Sequence, residues 1–171
     1  SLRDINFTLA GWPRFLLVGL ASGAVMLVIN SLGNAYSVRL FQIFVSPQRI
    51  EALLEQENAV LTQLFRPDQP RWLIVSLFIL VGIIAPIVEE LFFRGYAYNI
   101  MRSRWGCIGG VVGGALLFAA VHLYIVQFFS IFILGTVLCL LYEKTGSLLP
   151  NIIAHSVMNL LVPWVVYGQI V

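Results

Sequence analysis

The sequence predicts an all-α polytopic membrane protein: a bundle of about five transmembrane helices plus one amphipathic helix. Three observations carry this. Of 171 residues, 60% are apolar, and only 10 are Lys or Arg and 8 Asp or Glu. A soluble domain has about a quarter of its residues charged. Long charge-free runs recur along the chain. The hydrophilic stretch between the first two of these runs has the 3.6-residue apolar spacing of a helix. The same hydrophobicity excludes disorder, and a dispersed net charge of +2 gives no basis for nucleic-acid binding.

The elements follow in order. Phe15 to Val38 carries no formal charge over 24 residues, enough for one crossing, which takes about 20. This run is too long for a signal peptide and lacks an A-x-A site. The start at Ser1 without Met is what a processed or shortened product shows. Ser46-Pro47 then reads as an N-cap followed by proline at the first helical position. Ile50, Leu53, Leu54, Leu61, Leu64 and Phe65 recur at helical spacing, with Glu51, Glu55 and Glu57 elsewhere on the surface. This amphipathic helix ends before Pro67-Asp68-Gln69-Pro70. Docking on the bundle and lying at the membrane interface are equally consistent with it.

Trp72 to Val88 is the second apolar run, 17 residues long. Trp105 to Tyr142 is 38 residues, with His122 its one ionisable group of note. As a single helix that run would reach roughly 57 Å, nearly twice the hydrocarbon thickness. It therefore folds into two crossings, turning near Leu123 to Phe128. Gly109, Gly110, Gly113 and Gly114 give the third span a small-residue surface for tight helix packing. Thr145 to Val171 supplies the last crossing, interrupted only by His155. Cys107 and Cys139 match no metal or redox spacing and read as core residues. With five spans, one side collects Arg3, Arg14, Arg102, Arg104 and Lys144, and the other Arg39, Arg49, Arg66 and Arg71. That slender excess favours a cytoplasmic first side.

Six polar residues in or beside the spans demand a reason: Glu89, Glu90, Arg94, His122, His155 and Asn159. An ionisable group at the bilayer centre costs about 2.5–3.5 kcal/mol on insertion scales, so such groups face the interior and mark function. Glu90 and Arg94 are i and i+4, the favourable order for an ion pair. Glu89 is rotated about 100° from Glu90 and has uncharged Phe93 at its own i+4 position. One glutamate is thus neutralised locally while the other stays free to act as a base. Pro86, three residues before Glu89, removes a helical hydrogen bond and can open the segment to water.

His155 and Asn159, again i and i+4, present two donors suited to a developing oxyanion. Phe118 and His122 share that spacing on the third span. Convergence of these faces would let a carboxylate, an imidazole and a water hydrolyse a carbonyl compound without a serine. Ser156 lies on another face from His155. The set Glu89, His122 and His155 is also a His₂Glu zinc ligand set, although no HExxH helix is present. No cofactor is the preferred expectation, and zinc the alternative.

Glu89-Glu90-Leu-Phe-Phe-Arg94 fits EExxxR, Phe118-Ala-Ala-Val-His122 fits FxxxH, and His155-Ser-Val-Met-Asn159 fits HxxxN. In that order the chain resembles the CPBP family of intramembrane endopeptidases. That family includes the prenyl-protein-processing CAAX proteases of the Rce1 type and bacteriocin-immunity relatives. The motifs cover roughly Trp72 to Val162, with Gly146-Ser147-Leu148-Leu149-Pro150 resembling the usual lead-in to the last one. The resemblance implies that Glu89 and His122 activate water, that His155 and Asn159 form the oxyanion hole, and that Glu90, Arg94 and Phe118 support the site. It also implies a peptide or protein substrate, prenylated in the CAAX branch, within the lipid bilayer, and a multi-pass protein of a prokaryotic cell membrane. The domain reading is one membrane domain over residues 1–171, with 1–70 the first span and amphipathic helix and 71–171 the catalytic core. The competing reading is a non-catalytic immunity or scaffolding protein of the same fold. A proton-relaying transporter is a third, without the inverted repeat that would point to it.

Overall fold

The computed structural model describes residues 11–66 and 68–170, and of 166–170 the backbone alone. Arg3, counted above for orientation, and Pro67, part of the boundary after the amphipathic helix, lie outside the described residues, as do both chain ends. Among the described residues the chain is helical throughout, with no strand. Helix α1 spans Trp12–Phe41 and α2 Pro47–Leu64. Helices α3 (Arg71–Ile79), α4 (Ala85–Phe92) and α5 (Asn99–Val121) run on from one another through two π-helical stretches, Leu80–Ile84 and Phe93–Tyr98. Helices α6 (Phe128–Thr145) and α7 (Leu148–Ile170) complete the bundle.

Among the described residues four helical segments are long and apolar enough to cross a membrane, and Arg71–Val121 is one of them. It does not run straight. At Gly106, with φ 71° and ψ −175°, the backbone enters a region open essentially to glycine alone. The chain there folds back on itself. Gly110 faces the Arg102 backbone, Gly114 faces Tyr98, and the Phe118 ring lies 5.1 Å from that of Phe93. These pairs are spaced almost symmetrically about Gly106, so the segment is a helical hairpin with a one-residue turn. Its two legs hold the second and third apolar runs of the sequence, so the expected five spans correspond to four segments long enough to cross. The glycines at 110 and 114 are what let the legs touch, since a Cβ at Gly110 would lie 2.9 Å from the Arg102 Cα.

The turn between the two halves of the 38-residue run falls between Val121 and Phe128. Leu123 makes it, with φ 58° and a side chain 85% exposed. Helix α1 packs along α7, where Gly19 and Gly23 sit against Ile153 and Val157 so closely that a Cβ at either would collide. Large apolar side chains such as Leu17, Val25, Leu32, Val75 and Val88 point outward. The polar residues gather inside instead, with Glu90, Arg94 and Asn151 fully buried. That inversion suits a protein whose surroundings are lipid.

Helix α2 begins as its sequence dictates, with the Ser46 hydroxyl accepting from the Arg49 N–H. It docks on the bundle. Phe65 is wholly buried with Ile74 and Leu77, and its ring lies 4.8 Å from that of Phe78. The expectation that Glu57 sits on the surface is corrected here, because Glu57 is buried. Its carboxylate accepts the N–H groups of Ile125 at 2.6 Å, Val126 at 2.8 Å and Gln127 at 3.4 Å. These are donors at the start of α6 that no preceding turn can satisfy. A helical wheel shows which face a residue occupies, not which backbone meets it.

Candidate active site

The site forms where α4, the end of α5 and α7 meet. Glu90 is its buried anchor. Oε1 accepts from Arg94 Nη1 at 2.7 Å and from His155 Nδ1 at 2.8 Å, while Oε2 accepts from Asn151 Nδ2 at 3.3 Å. Removing an ion pair from water is costly unless the remaining donors and acceptors are satisfied. The surroundings supply most of this, with Arg94 Nε and Asn151 Oδ1 left without a partner among the described residues. Arg94 Nη2 donates to the Gly135 carbonyl at 3.2 Å, and the guanidinium lies over the Phe118 ring at 4.5 Å. Asn151 also donates to the Leu138 carbonyl at 2.7 Å. The glycine at 135 lets α6 close on α5, since a Cβ there would come within 3.1 Å of the Phe118 ring.

Glu89 points away from that network. Its side chain is 30% exposed, and Oε2 lies 3.6 Å from His155 Nε2. That oxygen is itself buried and has no hydrogen-bond partner among the described residues. His155 therefore stands between two carboxylates, Nδ1 on Glu90 and Nε2 toward Glu89. A carboxylate only accepts, so Nδ1 carries a proton, while Nε2 faces Glu89 Oε2 from beyond hydrogen-bond distance.

His122 caps α5. Its Nδ1 lies 2.7 Å from the Phe118 carbonyl, which can only accept. The neutral ring therefore keeps its Nε2 lone pair free. Phe118 is the common surface of the site, its ring 4.5 Å from His122 and 5.7 Å from His155. Phe118, His122, His155 and Asn159 line one cavity of about 230 Å³, whose other wall comes from Met26 of α1 and Leu61 of α2.

Asn159 has a partner that follows from local backbone chemistry. The Ala85 N–H bonds Leu80 O in the π-helical register. In that register Val81 O would await the N–H of residue 86, and Pro86 has none. Asn159 Nδ2 supplies the missing donor at 3.1 Å. One amide hydrogen is so committed, leaving the other for the cavity. The second π-helical stretch is treated alike: Asn99 Nδ2 donates to Arg94 O at 2.9 Å and Gly95 O at 3.0 Å.

Sequence reasoning passed over four participants. Asn151, inside an apolar run, gave no signal beyond being an amide four residues before His155. Gly135 and Leu138 act through backbone carbonyls, which no motif reveals. Glu57 lies outside every charge-free run, and its burial depends on the turn it caps. For the zinc alternative, no group of three or more His, Cys, Asp or Glu side chains among the described residues is arranged to hold a metal ion.

Comparison with known proteins gives three results. The family model for Rce1-like proteins, described as type II CAAX prenyl endopeptidase, matches residues 70–161. The chain is 30% identical over 94 residues to UPF0177 protein YbdI of Lactococcus lactis subsp. lactis (strain IL1403), covering 54% of this chain and 49% of the relative. It is 29% identical over 110 residues to an uncharacterized 24.3 kDa protein of Escherichia coli, covering 61% and 50%. The chain thus spans about half the length of these relatives. No solved structure matches it.

Proposed function

The chain belongs to the Rce1-like family of type II CAAX prenyl endopeptidases, and from that premise we propose that it is an intramembrane endopeptidase that cleaves a peptide bond with a carboxylate-activated water. One observation carries the reading. Of two adjacent glutamates, Glu90 is saturated by Arg94, His155 and Asn151, while Glu89 holds a buried oxygen with only the His155 ring facing it.

In this reading Glu89 takes a proton from water as the oxygen attacks the scissile carbonyl, and His122, its Nε2 free, steadies the same water. His155, with a carboxylate on each side, donates through Nε2 to the developing oxyanion, and Asn159 contributes its remaining amide hydrogen. Glu90 fixes the orientation of the His155 ring. Arg94, stacked on Phe118, holds Glu90. The tetrahedral intermediate collapses when the proton on Glu89 passes to the leaving amine. A positioned base and preorganised oxyanion donors are each worth about 10²–10⁴-fold and 10²–10³-fold. The substrate is a peptide or protein, and the CAAX branch adds prenylation at the cleavage end.

The test is cleavage of a farnesylated reporter peptide by the reconstituted protein. Glu89→Gln and His122→Ala are expected to lose turnover by at least about 10²-fold while melting as the unmodified protein does. Turnover retained in Glu89→Gln removes the reading.

A further inference from the structure

A second cavity of about 540 Å³ opens between α1 and α2, next to the candidate site. The two share Asn30, Asn58, Gln127 and Val162 on their walls, so they lie side by side. Its lining is unusual for a surface beside a membrane span. Asn30, Asn34, Gln42, Asn58 and Gln127 are all uncharged amides, and Arg39 is the one formal charge among them. A phospholipid phosphate would find a single cation there. A polypeptide main chain, which alternates donors and acceptors, finds both kinds of partner.

The hydrogen-bond inventory sharpens this. The Asn34 Oδ1 atom is buried without a partner among the described residues. Asn30 Oδ1 accepts from Ser130 at 3.2 Å, which leaves its NH₂ to donate. Asn58 spends its NH₂ on the Leu54 carbonyl at 2.9 Å, which leaves its oxygen to accept. Asn30 and Asn34 stand one turn apart on α1, about 6 Å along the axis. Two residues of an extended chain advance about 6.6 Å, so a donor at one position and an acceptor at the next match groups on one edge of a strand. A buried polar atom without a partner costs about 1–3 kcal/mol, which an incoming N–H would recover once the Asn34 side chain turns its enclosed oxygen into the groove.

We propose that this groove is a binding site for an extended stretch of polypeptide, with Asn34 and Asn58 accepting main-chain N–H groups and Asn30 donating to a main-chain carbonyl. The proposal rests on the protease reading for the identity of the polypeptide, namely substrate flanking the scissile bond. Asn30, Asn34 and Asn58, the three amides the proposal uses, lie in α1 and α2, outside residues 70–161.

The experiment separates binding from turnover. The Glu89→Gln protein in lipid nanodiscs is titrated with a fluorescent farnesylated peptide and with a twin methylated on the main-chain nitrogens flanking the prenyl cysteine. Asn34→Leu is expected to weaken the unmodified peptide about fivefold, the worth of one hydrogen bond. N-methylation is expected to weaken the parent by a similar factor and to cost nothing further in Asn34→Leu. Asn58→Leu, on an exposed position of α2, repeats the cycle should Asn34→Leu fail to fold. Additive losses, unchanged affinity in the variants, or no binding by the parent overturn the proposal. So does displacement of the peptide by a short-chain phosphatidylcholine with no N-methyl coupling, which assigns the groove to lipid. Coupling without any cleavage by the unmodified chain removes the protease reading and leaves the binding site standing.

Discussion

Glu90 and His155, 65 residues apart in the chain, are joined by a buried 2.8 Å hydrogen bond. Through it the ion pair of α4 fixes the ring that faces Glu89. Glu90 thus bears on stability and geometry together, and the two can be separated.

Glu90→Gln leaves the Arg94 guanidinium, wholly buried, without its counter-charge. Breaking one side of a buried pair costs about 3–5 kcal/mol, so a large drop in melting temperature is expected in detergent. Replacing both partners, Glu90→Met with Arg94→Met, is expected to recover most of that stability, since apolar substitutes for a buried pair are well tolerated. Peptide cleavage is expected to stay lost in the double variant, because His155 no longer has an acceptor at Nδ1. A double variant no more stable than Glu90→Gln would mean the pair is not the buried cost described here.

Asn159 and Pro86 are expected to be coupled. Asn159→Leu strips Val81 O of its donor and is expected to cost about 1–3 kcal/mol. Pro86→Ala returns an N–H to the helix, so in that background the same substitution is expected to cost about 1 kcal/mol less. Thermal unfolding of the four proteins measures the cycle. Simple additivity would mean that the Asn159–Val81 bond does not compensate for the proline.

Gly106→Ala tests the hairpin turn. No neighbouring atom lies within 4 Å of a Cβ built there, so the cost is torsional, about 1–3 kcal/mol for a residue forced into that region. Lowered thermal stability is the expected result, with no compensation from trimming side chains nearby. Unchanged stability would show that the turn tolerates another conformation.

Glu57→Ala removes the acceptor for three N–H groups between α5 and α6. Bonds to a charged group contribute about 1.5–3 kcal/mol each in mutational series, and their joint loss is expected to speed amide exchange at Ile125, Val126 and Gln127. His122 borders that loop, so cleavage is expected to fall as well, with Glu57→Gln, which retains one carbonyl acceptor, in between. Unaltered exchange at Val126 would mean α2 does not hold the loop.

How much of this was legible in the sequence depends on the range of the interaction. The Glu90–Arg94 pair follows from i,i+4 spacing, and the crossing near residue 123 from the length of an apolar run against the thickness of a bilayer. The face shared by His155 and Asn159 is also read from spacing. The sequence pairs Glu89 with His122 through family resemblance, whereas the imidazole beside Glu89 at 3.6 Å is that of His155. Two partners of His155, Glu89 and Glu90, sit on a different helix about 65 positions away, and only packing brings them together. The π-helical stretches left no periodic trace, since one added residue per turn shifts the register without changing composition. Gly106 was hidden among four other glycines whose role is contact rather than conformation.

The turn at Gly106 has a bearing on how the protein is made. Its second leg, residues 107–121, is 15 residues long, about 22 Å at helical rise and too short to cross a bilayer by itself. The first leg carries Glu90 and Arg94, an ion pair that is unwelcome in lipid until other elements pack over it. Neither leg is therefore suited to leave the translocation machinery alone. Partitioning as a closed unit seats Phe118 against Phe93 and Arg94 from the start, so the membrane receives a preassembled piece of the candidate site rather than two independent helices.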